Sequence, residues 1–257
     1  MATLIVDGRR VNYLDVGSGL PVVLMHAFPL TSAAFEAQTA ALRDRFRFIL
    51  PDARGFGGSE LGAPITQMTD LAEDAIAILD ELGIDEAVVG GVSMGGYASL
   101  ALAREMPSRV KALVLADTQA TADDEAAKAG RQALLSAVDA DGIEALLQRQ
   151  LPKLLATAEA RVPVEALIRS ANVKAVKAAI RGLAQREDSR GILARFSGPT
   201  LILVGEWDEV TPRAKAEQMQ ELIPGSILVE IPGGGHLAHL DKPGAFNQAL
   251  GSFLAGL

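Results

Sequence analysis

Short apolar runs alternate with longer amphipathic stretches along most of this chain. That rhythm is the pattern of a mostly parallel sheet covered by helices. LIVDG and VNYLDVG open the chain as an antiparallel hairpin, with the turn at Asp7-Gly8. PVVLMHA (21–27) and FRFILPD (46–52) read as buried strands, separated by a helix over 32–44. AEDAIAILDELG (72–83) places Ile76, Leu79 and Leu82 at helical spacing and stops at Gly83. AVVGGVS (87–93) and KALVLADT (111–118) are the next strands, around a helix over 94–106 that Pro107 closes. PTLILVGEWD (199–208) and SILVEIPGGGH (226–236) complete a set of eight strands. Between those two a helix opens at Thr211-Pro212, with threonine as cap and proline in the first turn, and a last helix covers 243–256.

The texture changes between 121 and 190, where no strand pattern occurs. Alanine, leucine, lysine, arginine and glutamate recur at helical spacing, broken by Asp141-Gly142, Pro152 and Pro163. Three or four short helices are expected there. The chain therefore divides into an α/β core, 1–118 with 196–257, and a helical insertion, 119–195.

Composition narrows the chemistry. The chain has 257 residues and no cysteine, which removes disulfides, thiolate metal sites and cysteine nucleophiles together. A formal charge of −8 argues against nucleic acid or anionic lipid as a partner. The first residues, MATLIVDGRRVNYLDVG, lack a basic segment followed by an apolar one, and no apolar run approaches the roughly 18 residues of a membrane span. A cytoplasmic protein is expected.

The glycine-rich stretch GGVSMGGYASL carries the first chemical signal. Ser93 sits in G-x-S-x-G, between Gly91 and Gly95, where an apolar strand ends and a helix begins. That junction is the setting of a nucleophile elbow, a sharp turn that lifts the serine hydroxyl clear of the sheet. The helix behind it offers backbone N–H groups and positive dipole to a developing oxyanion. A serine nucleophile needs a base, and the chain has three histidines. His26 ends the MHAFPL strand, His236 follows the last strand, and His239 lies three residues on. His236 stands at the carboxyl end of a strand, the edge where α/β sheets place their sites. The base needs an acid to fix its tautomer. Asp208, ending LILVGEWD, and Asp117, ending LVLADT, occupy the same edge one strand apart. With Asp208 the chain order is Ser, Asp, His.

HAFPLTS, DARGFGGS, GVSMGG, VGEWDEVTP and GGGHLAHLDKP together identify a resemblance. Over essentially its whole length the chain resembles the α/β-hydrolase superfamily, and most of all its small esterases, enol-lactonases and cofactor-free perhydrolases. The resemblance implies a mostly parallel eight-stranded sheet with helices on both faces and a helical cap. In that family the catalytic histidine is followed at five residues by an acid and at seven by proline, which selects His236, with Asp241 and Pro243. The family's acid maps to Asp208, and its two oxyanion donors to the backbone N–H groups of Phe28 and Met94. One position departs from the pattern: Ala27 stands where the family has glycine, and a positive φ there would strain an alanine.

These residues imply a serine hydrolase that cleaves a small carboxylic ester or lactone through an acyl-enzyme, with no metal or organic cofactor. Perhydrolysis and carbon–carbon cleavage use the same triad, and a non-catalytic receptor on the same fold is the reading from another class. Haloalkane dehalogenases and epoxide hydrolases of the family carry aspartate at the elbow, where this chain has Ser93. Asp52 and Arg54, in DARGFGGS, are expected to hold adjacent loops together as a pair. Leu30 and Trp207 are candidate walls of the acyl pocket, with buried packing as the other reading of Trp207. Arg131, Arg149 and Arg169 read as a solvated helical face, or as a source of one cation for a substrate carboxylate.

Overall fold

The structure is a computed structural model describing residues 1–257. Its eight strands are β1 Ala2–Val6, β2 Arg9–Val16, β3 Leu20–Met25, β4 Phe46–Pro51, β5 Ala87–Val92, β6 Val110–Ala116, β7 Thr200–Gly205 and β8 Ile227–Ile231. They form one sheet in the order β1-β2-β4-β3-β5-β6-β7-β8. β1 and β2 pair antiparallel, as do β2 and β4, and every later pair is parallel. The opening hairpin turns where expected: Asp7 and Gly8 both have positive φ, 50° and 76°, as a two-residue turn between right-twisted strands requires.

Every residue of β5 and of β7 is buried. Side chains alternate between the two faces of a strand, so both faces of the sheet centre are covered. The covering helices include α1 Glu36–Leu42, α2 Met68–Glu81 and α3 Met94–Glu105. The stretch expected as one helix over 32–44 begins as a tight 3-10 turn, Ser32–Phe35, before α1. α2 starts earlier than its apolar spacing indicated. Gln67 and Asp70 form a capping box that fixes its first turn ahead of the amphipathic stretch.

The chain leaves β3 for β4 on one side of it and then crosses to β5 on the other. Such a reversal opens a crevice beyond the carboxyl ends of the strands. Registers align those ends: Met25 pairs with Gly91, Val92 with Ala116, and Gly205 with Ile231. The loops that follow β3, β5, β6, β7 and β8 are thereby gathered along one edge.

Between β6 and β7 the chain contains six helices: α4 Glu125–Asp141, α5 Glu144–Arg149, α6 Leu151–Leu154, α7 Arg161–Arg169, α8 Val173–Gln185 and α9 Arg190–Leu193. The expected three or four undercount them. α6 and α9 are single turns of four residues, too short to leave a helical period in the sequence. α4 and α8 pack together, and Leu134 and Val138 of α4 with Val176, Ala179 and Ile180 of α8 belong to the same buried cluster as the sheet. The chain ends with α10 Arg213–Leu222, α11 Ala238–Asp241 and α12 Pro243–Leu254. No helix is long and apolar enough to cross a membrane.

Candidate active site

From 87 to 103 every residue is buried except Ser93, which is partly exposed. Its backbone has φ 52° and ψ −111°, a conformation that side-chain-bearing residues avoid at a cost of about 1–3 kcal/mol. The flanking glycines make the turn possible. A Cβ on Gly95 would stand 1.9 Å from the Met25 carbonyl oxygen, and one on Gly91 would meet the Gly95 carbonyl carbon at 2.4 Å. The elbow is pressed against the end of β3, and only residues without side chains fit.

His236 approaches Ser93 from the loop after β8. Its Nε2 lies 2.8 Å from Ser93 Oγ, and its Nδ1 lies 3.0 and 2.9 Å from the two carboxylate oxygens of Asp208. Both side chains are almost fully buried. The three residues, distant in sequence, form one hydrogen-bonded line. Asp208 is further held from its own loop: Val210 and Thr211 donate backbone N–H to Oδ1 at 2.8 and 2.9 Å, and the Thr211 hydroxyl donates to Oδ2 at 2.7 Å. Burial pushes the Asp208 carboxyl up, but the hydrogen bond and charge of His236, with the Thr211 donors, outweigh it. The net direction is below the ordinary value.

Thr211 was not among the candidates. Its expected task, capping α10, falls away, because Pro212 stands at the N-cap and no side chain caps that helix. The hydroxyl serves Asp208 instead and lies 3.3 Å from His236 Nδ1. A threonine three residues after a candidate acid was the only signal available.

The rival acid is occupied elsewhere. Asp117 directly follows β6, has φ 44° and is completely buried. Its Oδ1 accepts the Gly205 N–H at 2.8 Å and its Oδ2 the Ala238 N–H at 3.1 Å. Burial above all, with the charge of Asp208 nearby, pushes its carboxyl well above the ordinary range. The remaining histidines are likewise structural. His26 accepts the Ala53 N–H at 2.9 Å on Nε2, with Nδ1 facing the Ala27 carbonyl at 3.0 Å. His239 is fully buried between Phe35 and Phe246, and neither ring nitrogen has a partner.

Phe28 lies in the loop after β3, and Met94 opens α3. As the first residue of a helix, Met94 has an N–H with no acceptor inside the helix. Ala27 is absent from the residues with positive φ, so alanine in this loop carries no backbone strain. Leu30 is 0% exposed and presents no surface to an open pocket; its candidacy as a wall gives way to a place in the core. Trp207 is 58% exposed, which excludes buried packing. Asp52 and Arg54 hold loops, but not as a pair. Asp52 accepts from Ser32, Asn12 and Gly58, whereas Arg54 binds Asp70 and Asp74 of α2. Arg149 and Arg169 are solvent-facing, and Arg131 is paired with Asp123.

A family model described as alpha/beta hydrolase fold matches residues 21–243, and the chain belongs to that family. It is similar to a thermophilic esterase from Thermogutta terrifontis, with 36% identity, a TM-score of 0.93, and coverage of 99% of this chain and 96% of that one. It is 28% identical to 3-oxoadipate enol-lactonase 1 of Acinetobacter baylyi, over 99% of this chain and 98% of the relative. It is 30% identical to haloalkane dehalogenase 2 of Mycobacterium tuberculosis, over 94% of this chain and 90% of the relative. These relatives are named as hydrolases, and the chain is an α/β-hydrolase.

Proposed function

We propose that the protein hydrolyses a small carboxylic ester or lactone through an acyl-enzyme on Ser93. The observation that carries the reading is the line from Ser93 Oγ through His236 to the Asp208 carboxylate, at 2.8 and 2.9 Å. A hydroxyl is a poor nucleophile until a neighbouring base takes its proton as it attacks. His236 Nε2 is within hydrogen-bond reach to do so, and Asp208 faces the opposite ring nitrogen, where it fixes the tautomer and stabilises the imidazolium.

The steps follow from those contacts. Ser93 Oγ bonds to the acyl carbon while its proton passes to His236 Nε2. The carbonyl oxygen becomes an oxyanion, and the N–H groups of Phe28 and Met94 are assigned to hold it. His236 returns the proton to the departing alkoxide. Water then attacks the acyl-enzyme, giving its proton to His236, and the acid leaves as Ser93 regains a proton. In a lactone the leaving alkoxide stays tethered to the acyl group, and one product results. Similarity to the esterase and to the enol-lactonase supports both substrate types. The dehalogenase likeness is read as one of fold, because the elbow residue here is a serine.

The helices between β6 and β7 are assigned as a cap that limits substrate size. The test of the reading is hydrolysis of p-nitrophenyl acetate and butyrate by the wild type and by Ser93→Ala. The wild type is expected to turn over and the folded variant to be silent. Equal activity in both would remove Ser93 from the chemistry.

A further inference from the structure

The helical insertion is covalently joined to the core only at its ends, after β6 and before β7. Besides the bonds that join α8 to the loop before α2, such as the Thr66 N–H to the Ala178 carbonyl at 3.1 Å, a further attachment lies near its midpoint, and one carboxylate makes most of it. Asp241, at the end of α11, is 8% exposed. Its Oδ2 accepts the backbone N–H of Gly235 and of Ala156, each at 2.9 Å. Its Oδ1 accepts the Thr157 N–H at 3.0 Å and the Thr157 hydroxyl at 2.7 Å. Gly235 immediately precedes His236, whereas Ala156 and Thr157 lie in the loop between α6 and α7. The Leu237 N–H adds a bond to the Leu154 carbonyl at 2.9 Å. The two loops meet backbone to backbone: a Cβ on Gly235 would stand 2.7 Å from the Ala156 nitrogen and 3.0 Å from Asp241 Oδ2.

All four partners of Asp241 are donors, so the position needs two acceptor oxygens on one short side chain. Bonds to an ionised acceptor are roughly twice as strong as neutral ones. We propose that Asp241 is a positioning residue that fixes two things at once: where His236 stands and where the insertion sits over the site. Alignment of the base and selection by substrate size are then coupled through one carboxylate. The proposal rests on His236 being the base and the insertion being the cap.

Asp241→Asn tests it with almost no change of shape. Asparagine keeps one acceptor and turns an NH2 group towards backbone donors. Labelling of Ser93 by a fluorophosphonate probe, and kcat for p-nitrophenyl acetate, are expected to fall roughly 10–100-fold, the scale of a misplaced catalytic group. The preference between acetate and octanoate esters is expected to weaken in the same variant. Hydrogen exchange should accelerate together at 154–157 and at 234–237. Thr157→Val, which removes only the hydroxyl bond, should move each readout the same way by less. A lower melting temperature with unchanged labelling and kcat would reduce Asp241 to a structural residue and overturn the proposal. So would faster exchange at 154–157 alone. A wild type that labels at Ser93 but hydrolyses no ester would sink the ester reading, while labelling and exchange still decided the role of Asp241.

Discussion

Asp117 directly follows β6 and Asp208 lies in the loop after β7; the two strands are parallel neighbours, and both side chains are buried at the same edge of the sheet. Their surroundings push them in opposite directions. Asp208 meets a histidine and a threonine hydroxyl as well as backbone donors, and its carboxyl is held below the ordinary value despite burial. Asp117 meets only the N–H groups of Gly205 and Ala238, too little to offset burial, and its carboxyl rises. Asp208 is thus the carboxylate suited to face an imidazolium. Asp117 ties the ends of β6 and β7 to α11, close to the loop that carries His236. Position at the edge of the sheet alone does not give a carboxylate a histidine partner; the loop that follows the strand does.

Replacement sets the two aspartates apart most sharply. Asp208→Asn is expected to lower kcat on a p-nitrophenyl ester roughly 10⁴-fold, the cost of losing a triad acid. Asp117→Asn should leave kcat within a few-fold of wild type, its effect falling on stability. Equal losses in steady-state kinetics would make the pair one functional unit. Thr211→Val probes the donor that only Asp208 has. A lost hydrogen bond to a charged group costs about 1.5–3 kcal/mol, so a loss on the order of tenfold or more in kcat is expected. An unchanged kcat would leave Thr211 as a loop residue.

His236 and His239 repeat the comparison on a smaller scale. His239 has no acid partner, and its ring faces Phe35 and Phe246, with Gln38 bonded to its backbone carbonyl. Burial, with the nearby His236, lowers it from the ordinary 6.5 to about 3. Between those values the unfolded chain binds a proton that the folded chain refuses. Stability from the neutral ring is therefore present above about 6.5 and is lost as pH falls towards about 3. His239→Leu should flatten the decline of melting temperature over that window, leaving activity at neutral pH near wild type. A slope identical to wild type would show that the ring titrates freely.

Much of this was legible in the sequence because strands and elbow are local patterns. Apolar runs located all eight strands, and the glycines around Ser93 marked the turn whose close approach to Met25 they permit. His236 could be placed by its position after the last strand. The choice between Asp117 and Asp208 was harder, since residue type and strand end are alike and the difference lies in tertiary partners. Thr211 looked like a helix cap because the sequence shows a neighbour to proline, not the carboxylate its hydroxyl reaches. Leu30 illustrates the opposite limit: an apolar residue near a site can belong wholly to the core. The single-turn helices of the insertion left too few residues for any period to be read.

One measurement bears most directly on the Ser93–His236–Asp208 line. Wild type, Asp117→Asn and Asp208→Asn would each be reacted with a fluorophosphonate, and the modified peptide located by mass spectrometry. Rapid modification at Ser93 is expected in wild type and Asp117→Asn, with labelling slowed by orders of magnitude in Asp208→Asn. Modification at another residue, or wild-type rates in Asp208→Asn with loss in Asp117→Asn, would contradict the assignment of nucleophile and acid.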